Sequence, residues 1–145
     1  MPNTQSKIEN LASLHPPYHI LLKLWDIYVD RVDPLMKILH LPTFWSSLMN
    51  ALQHPQDISK SLEALICAFY LAVITSLEED ECRDLLGGQK SAIFARYERA
   101  ARRALRTAGF LHTSSPMTLR AYVMFLVSCN SRPCLWRLAN PSRWV

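Results

Sequence analysis

Only three glycines occur in this chain of 145 residues, and its apolar runs are longer than a strand, which disfavours an all-β fold. The four cysteines, Cys67, Cys82, Cys129 and Cys134, form no Cys-x-x-Cys pair. Closely spaced pairs of that kind usually fix a tetrahedral zinc site, so no metal centre is expected. The histidines do not cluster either: His15 and His19 flank the start of one predicted helix, His40 and His54 bracket another, and His112 falls in a loop. No His-Glu-x-x-His pattern is present, and these residues read as turn and surface histidines. A Gly-x-Ser-x-Gly nucleophile turn is missing. Gly87-Gly88 has neither the preceding strand nor the later glycine that a P-loop or a dinucleotide fingerprint requires. The densest carboxylates lie at 78–84, with no apolar pocket evident to push two pKa values apart. Neither an enzymatic activity nor a cofactor is expected.

Two further absences bear on location. The segment through Pro17 has no basic stretch leading into an apolar one, so no secretory signal is expected and the thiols are expected to be reduced. The uncharged apolar run Ala64–Leu77 is fourteen residues long, whereas a membrane span needs about 20. It reads as a buried core helix, and no membrane segment is expected.

What remains is a globular composition. Half of the residues are hydrophobic and 19% are charged, enough to bury a core and excluding disorder over most of the length. The net charge of +4 is unevenly spread: residues 1–89 carry six basic and eleven acidic side chains, and residues 90–145 carry ten and one. Such asymmetry can mark a nucleic-acid surface, or it can let an acidic half dock on a basic half within one fold. The second is the expectation here.

The periodicity predicts helices throughout. After a polar arm over residues 1–17, Leu21, Trp25, Tyr28 and Val32 recur at steps of four, three and four and predict a helix over 18–32. Pro34 is expected to end it by disfavouring the α region at Asp33. A turn over 35–41 precedes a helix from about Thr43 to Leu52. Asp57 or Ser59 can cap the next helix, which runs to about Leu77. A short acidic helix over 80–86 stops at Gly87-Gly88. The helix over 89–108 has an apolar face of Ile93, Tyr97, Ala100, Ala104 and Leu105. It ends at Gly109, read as a left-handed C-cap with Phe110 folding back on Leu105. Ser115 and Pro116 open a last helix to about Val127. The pattern then collapses into a tail.

Arg96, Arg99, Arg103 and Arg106 stand at steps of three, four and three on one face of the 89–108 helix, with Arg102 at its margin. Guanidinium groups suit phosphate geometry, so this face is the one candidate phosphate-contact site. The competing expectation is a solvated face opposite an apolar stripe. No aromatic residues interleave the arginines as stacking platforms, and no reading helix accompanies them.

The stretch Trp25-Asp26-Ile27-Tyr28, Val32-Asp33-Pro34-Leu35, Ile38-Leu39-His40 and Pro42-Thr43-Phe44 strings a helix end, a proline-bounded turn and a helix start together with large apolar residues at each joint. It resembles the opening of the fungal-specific transcription factor domain, the helical regulatory region of fungal binuclear zinc-cluster regulators. Ser61-Leu62-Glu63-Ala64-Leu65, Ala68, Tyr70, Ala72-Val73 and Ser76-Leu77 resemble its second block. Glu81-Cys82, Leu86-Gly87, Arg96-Tyr97, Ala104-Leu105, Ala108, Phe110-Leu111, Leu119, Ala121 and Phe125-Leu126 continue in register. The likeness covers about residues 18–127 and is closest to regulators of secondary-metabolite gene clusters. These are packing elements, which speak for kinship rather than activity.

Leu41 and Arg120 depart from the family pattern, which often has Arg and Gln there. Family members also carry a six-cysteine zinc cluster, which four cysteines cannot build, and further helices after the position of Phe125-Leu126. The expectation is therefore the front part of a larger helical regulatory domain, left by truncation, an altered reading frame near Cys129 or a shortened gene.

The fold expected is all-α, a single domain of five to six helices over 18–127, with an arm over 1–17 and an unpatterned tail over 128–145. The resemblance implies transcription regulation of a biosynthetic gene cluster in a fungal nucleus. The residues themselves point to a module that contacts a protein partner, or itself, through exposed apolar faces, without direct sequence-specific DNA contact. The alternatives are a sequence-independent nucleic-acid binder using the arginine face, and an inactive gene remnant.

Overall fold

Residue 60 begins the helix around which everything else is arranged. The computed structural model of the chain describes residues 11–112 and 114–130. Its helices are α1 (Leu11–Leu14), α2 (Tyr18–Ile27), α3 (Leu41–Gln53), α4 (Lys60–Ser76), α5 (Glu79–Leu86), α6 (Lys90–Thr107) and α7 (Pro116–Asn130), and no strand occurs among the described residues. Six of these helices have eight or more residues, in line with the all-α expectation.

The Ser59 hydroxyl starts α4 by accepting the Leu62 N–H at 3.1 Å, which satisfies one of the free donors of the first turn. From Ala64 through Leu77 every residue is buried, as expected for a helix that is apolar all round. Its two late hydroxyls are satisfied within the helix: Thr75 donates to the Leu71 carbonyl at 2.8 Å and Ser76 to that of Val73 at 2.7 Å. The main packing partners of α4 are α6 and α7, with α2 and its C-terminal extension on another side. Small residues are buried on all three helices, among them Ala68 and Ala72 on α4, Ala101 and Ala104 on α6 and Ala121 on α7. They let the helix backbones approach closely.

Two cationic side chains, Arg31 from the acidic half of the sequence and Lys90 from the basic half, tie elements of the fold together. Lys90 Nζ donates to the carbonyls of Thr75 at 3.1 Å and Leu77 at 2.5 Å, placing a positive charge on the negative end of the α4 dipole. Arg31 grips Glu81 through two bonds of 2.8 and 2.7 Å and reaches the Ser76 carbonyl at 3.1 Å. The pair holds the Arg31 guanidinium above its ordinary pKa, the hydrogen bond to Glu81 outweighing partial burial.

The structure differs from the sequence expectation in five places. Asp33 keeps α-region angles despite Pro34 (φ −57°, ψ −41°), the pre-proline bias being a preference that the hydrogen-bonded end of the π turn Tyr28–Val32 outweighs. Asp33 N–H pairs with the Tyr28 carbonyl at 2.9 Å, a wider loop than an α turn. The helix predicted from Thr43 starts at Leu41, with Pro42 in its first turn where no N–H is needed. On α6, Phe94 is buried and Ile93 only partly so. Leu14 and His15 of the predicted arm pack on the core. Leu14 is buried and its carbonyl accepts the Tyr97 hydroxyl at 2.5 Å, while His15 Nδ1 lies 2.5 Å from the Tyr70 hydroxyl. Residues 1–10 of that arm lie outside the described residues. Residues 128–130 of the predicted tail complete α7, with Ser128 buried, and the remainder lies outside the described residues.

Candidate functional site

The arginines of α6 do not act as one face. Arg96 donates to the Ser13 carbonyl at 3.2 Å and sits 5.9 Å from the centre of the Tyr97 ring. Arg103 is half-buried and turns toward α4, where its charge and that of Glu63 both act on the Cys67 thiol. These two are engaged with the fold. Arg99 and Arg106 are exposed. Arg102, read as marginal, shares their ridge at steps of three and four. Its guanidinium pairs with Glu98 at 2.8 and 3.0 Å and lies 5.3 Å from the centre of the Phe125 ring. The outward ridge is therefore Arg99, Arg102 and Arg106, one of them neutralised. Glu98 four residues before Arg102 was the sequence signal for that pair.

Beside this ridge lies a cleft of about 200 Å³ lined by Arg102, Leu105, Arg106, Phe110, Tyr122 and Phe125. Local sequence shapes it. Gly109 adopts φ +68°, and the N–H groups of Gly109 and Phe110 return to the carbonyls of Arg106 at 3.0 Å and Leu105 at 3.2 Å. That is a Schellman ending, and it drops the Phe110 ring to 4.7 Å from the centre of Tyr122. The cap and the Phe110–Leu105 approach are legible in the sequence. The arrival of Tyr122 and Phe125 opposite them depends on how α7 docks. A smaller recess of about 50 Å³ lies between α3, α4 and the start of α7, with Phe44, Leu62 and Met117 in its walls.

Around α7 the apolar surface continues outward from this cleft. Leu119, Val123 and Leu126 are 45%, 47% and 36% exposed and follow one another at steps of four and three, one stripe of the helix. Thr118, Ala121, Met124 and Ser128 form the opposite, buried side. A second exposed ridge, with Tyr18, Leu22 and Val29, runs along α2 and its extension.

The described thiols suit packing. Cys67 and Cys82 are buried, and burial pushes the Cys67 thiol up to about 12, which keeps it protonated and unreactive. Cys134 lies outside the described residues. Among the described residues no group of three or more His, Cys, Asp or Glu side chains could hold a metal ion, and no helix is long and apolar enough to cross a membrane.

Comparison with known proteins gives a consistent picture. The chain is 35% identical over 119 residues to the transcriptional regulator AacuB of Aspergillus aculeatus, a match covering 82% of this chain and 16% of the relative. It is 36% identical over 121 residues to the aurofusarin cluster transcription factor aurR2 of Gibberella zeae, covering 81% and 18%. The C6 finger domain transcription factor adaR of Aspergillus niger is 28% identical over 141 residues, covering 94% and 18%. The chain thus spans less than a fifth of the length of these relatives. No protein-family model and no solved structure matches it. Matched over most of its length to regulators of this kind, the chain belongs to the fungal cluster-specific transcription factors, as a partial regulatory region.

Proposed function

We propose that this chain serves transcription regulation of a secondary-metabolite gene cluster in a fungal nucleus, and that it does so through protein contacts made by its outer helix faces. The observation that carries the regulatory reading is the match across most of the chain to proteins named as transcription factors. None of those three names describes an enzyme, in keeping with a non-catalytic role. The contact mechanism draws support from the apolar stripe of α7, since contiguous exposed apolar surface on a soluble domain is characteristic of partner or self-association sites. The engagement of Arg96 and Arg103 with the fold weighs against the alternative of a phosphate-binding face.

Titration of the whole chain with random duplex DNA at rising salt separates the two mechanisms. A protein-contact module gives weak binding with a shallow salt slope. Affinity falling about a hundredfold or more between 50 and 200 mM salt, the loss expected of about four phosphate contacts, would overturn the contact mechanism.

A further inference from the structure

The α6–α7 cleft joins an apolar floor to a cationic rim, and the three features that surround it select one kind of occupant. The first is size. At about 200 Å³ the cleft is smaller than the roughly 300–1,000 Å³ of most small-molecule sites, and it fits one inserted aromatic or leucine side chain. The second is continuity. Tyr122 in the cleft wall is next, around the barrel of α7, to Leu119 and Leu126, both exposed, with exposed Val123 beyond them. An anchoring pocket bordered by an apolar stripe is the geometry that receives the apolar face of a helix. The third is charge. Arg102 and Arg106 line the cleft, Arg99 shares their ridge, and α7 contains no acidic residue. Glu98 is the only carboxylate side chain in residues 90–145. Complementarity requires a negative partner.

We propose that this cleft and the adjoining α7 stripe form a docking site for an acidic amphipathic helix of a partner protein. One large apolar side chain enters between Phe110, Tyr122 and Phe125, and carboxylates beside it meet Arg106 and Arg99. The proposal rests on the protein-contact reading and specifies its surface. A second copy of the chain is the less suitable occupant. Its acidic apolar ridge on α2, with Asp26 beside Leu22 and Val29, has the right chemistry, but pairing two different faces cannot give a two-fold dimer, only a ring of three or more copies or an open chain.

Fluorescence anisotropy of the whole chain with a labelled peptide of about 18 residues tests this, the peptide carrying Leu and Phe at helix-face spacing with Glu on its flanks. The control peptide has Lys in place of every Glu. The acidic peptide is expected to bind and to weaken as salt rises, and the Lys peptide is expected not to bind. Arg106→Glu and Val123→Glu alter exposed side chains, so circular dichroism should stay unchanged while each weakens the acidic peptide about tenfold or more. Equal binding of both peptides, unchanged affinity in both variants, or sedimentation showing a self-assembled chain whose contact Val123→Glu breaks would each overturn the proposal. A chain that ignores both the acidic peptide and duplex DNA loses this site but keeps the protein-contact reading. A chain that binds duplex with a steep salt slope loses both.

Discussion

The ring of Phe69 stands 5.0 Å from that of Tyr28, 5.1 Å from Phe44, 5.4 Å from Tyr70 and 5.9 Å from Trp25. One residue of α4 therefore ties α2, its π turn and α3 to the central helix. Aromatic pairs in tilted and edge geometries contribute beyond their buried area, and the site is fully enclosed. Phe69→Asp places an unpaired charge there, and its cost of several kcal/mol is comparable with a whole stability of roughly 5–15 kcal/mol. The substituted chain is expected to lose its cooperative thermal transition. A melting temperature within a degree or two of the parent would remove Phe69 from the core.

His15 offers a pH test at the same scale. Burial lowers its pKa from 6.5 to about 4, so the imidazole is neutral where it meets Tyr70. The unfolded chain takes up this proton near pH 6.5, whereas the folded chain resists until about pH 4. Stability from this site is full above pH 6.5 and is lost as pH falls toward 4, by something on the order of 2 kcal/mol once partial exposure is discounted. Urea midpoints measured from pH 7 to 4 should fall more steeply for the parent than for His15→Asn. Parallel profiles would mean that His15 is not held neutral by the fold.

At the scale of elements, the helix endings are where sequence and structure agree most closely, because each is set by a few neighbouring residues. Ser59 caps α4, Gly87 ends α5 at φ +74°, Gly109 ends α6, and Pro116 is the first residue of α7. Gly109→Ala forces a Cβ into the left-handed region without meeting any neighbouring atom, so its cost is conformational, about 1 kcal/mol. The unfolding free energy from urea titration should drop by that amount, and an unchanged midpoint would contradict the Schellman ending. The features that escaped the sequence are those settled by distant partners. Nothing local to Leu14 or His15 announces that Tyr97 and Tyr70, more than 50 residues away, will receive them. Pro34 predicts a break at Asp33 by local sterics, yet Asp33 stays in the α region with its N–H paired to the Tyr28 carbonyl at the end of the π turn. The spacing of the arginines was legible, but their division was not. Arg96 is held by the Ser13 carbonyl of the docked N-terminal segment, and Arg103 is half-buried with its charge acting on the Cys67 thiol of α4; neither partner is adjacent in sequence.

At the scale of the molecule, one cationic side chain from each half of the sequence is used inside the fold. Lys90 closes the end of α4, and Arg31 holds Glu81. The remaining positive charge gathers outside, on the α6 ridge beside an apolar cleft and an exposed α7 stripe. Apolar surface next to cationic charge suits proteins better than phosphate, which has no use for the apolar floor. An inactive remnant would be expected to have an open core, whereas α4 is enclosed along fourteen consecutive residues from Ala64 to Leu77. The most direct test of this account is a promoter-tethering assay in a filamentous fungus, with the whole chain fused to a heterologous DNA-binding module upstream of a reporter. The account predicts that the tethered chain changes reporter output and that Val123→Glu, at equal protein level, abolishes the change. A tethered chain that leaves the reporter at its background level, or a Val123→Glu chain that acts like the parent, would contradict it.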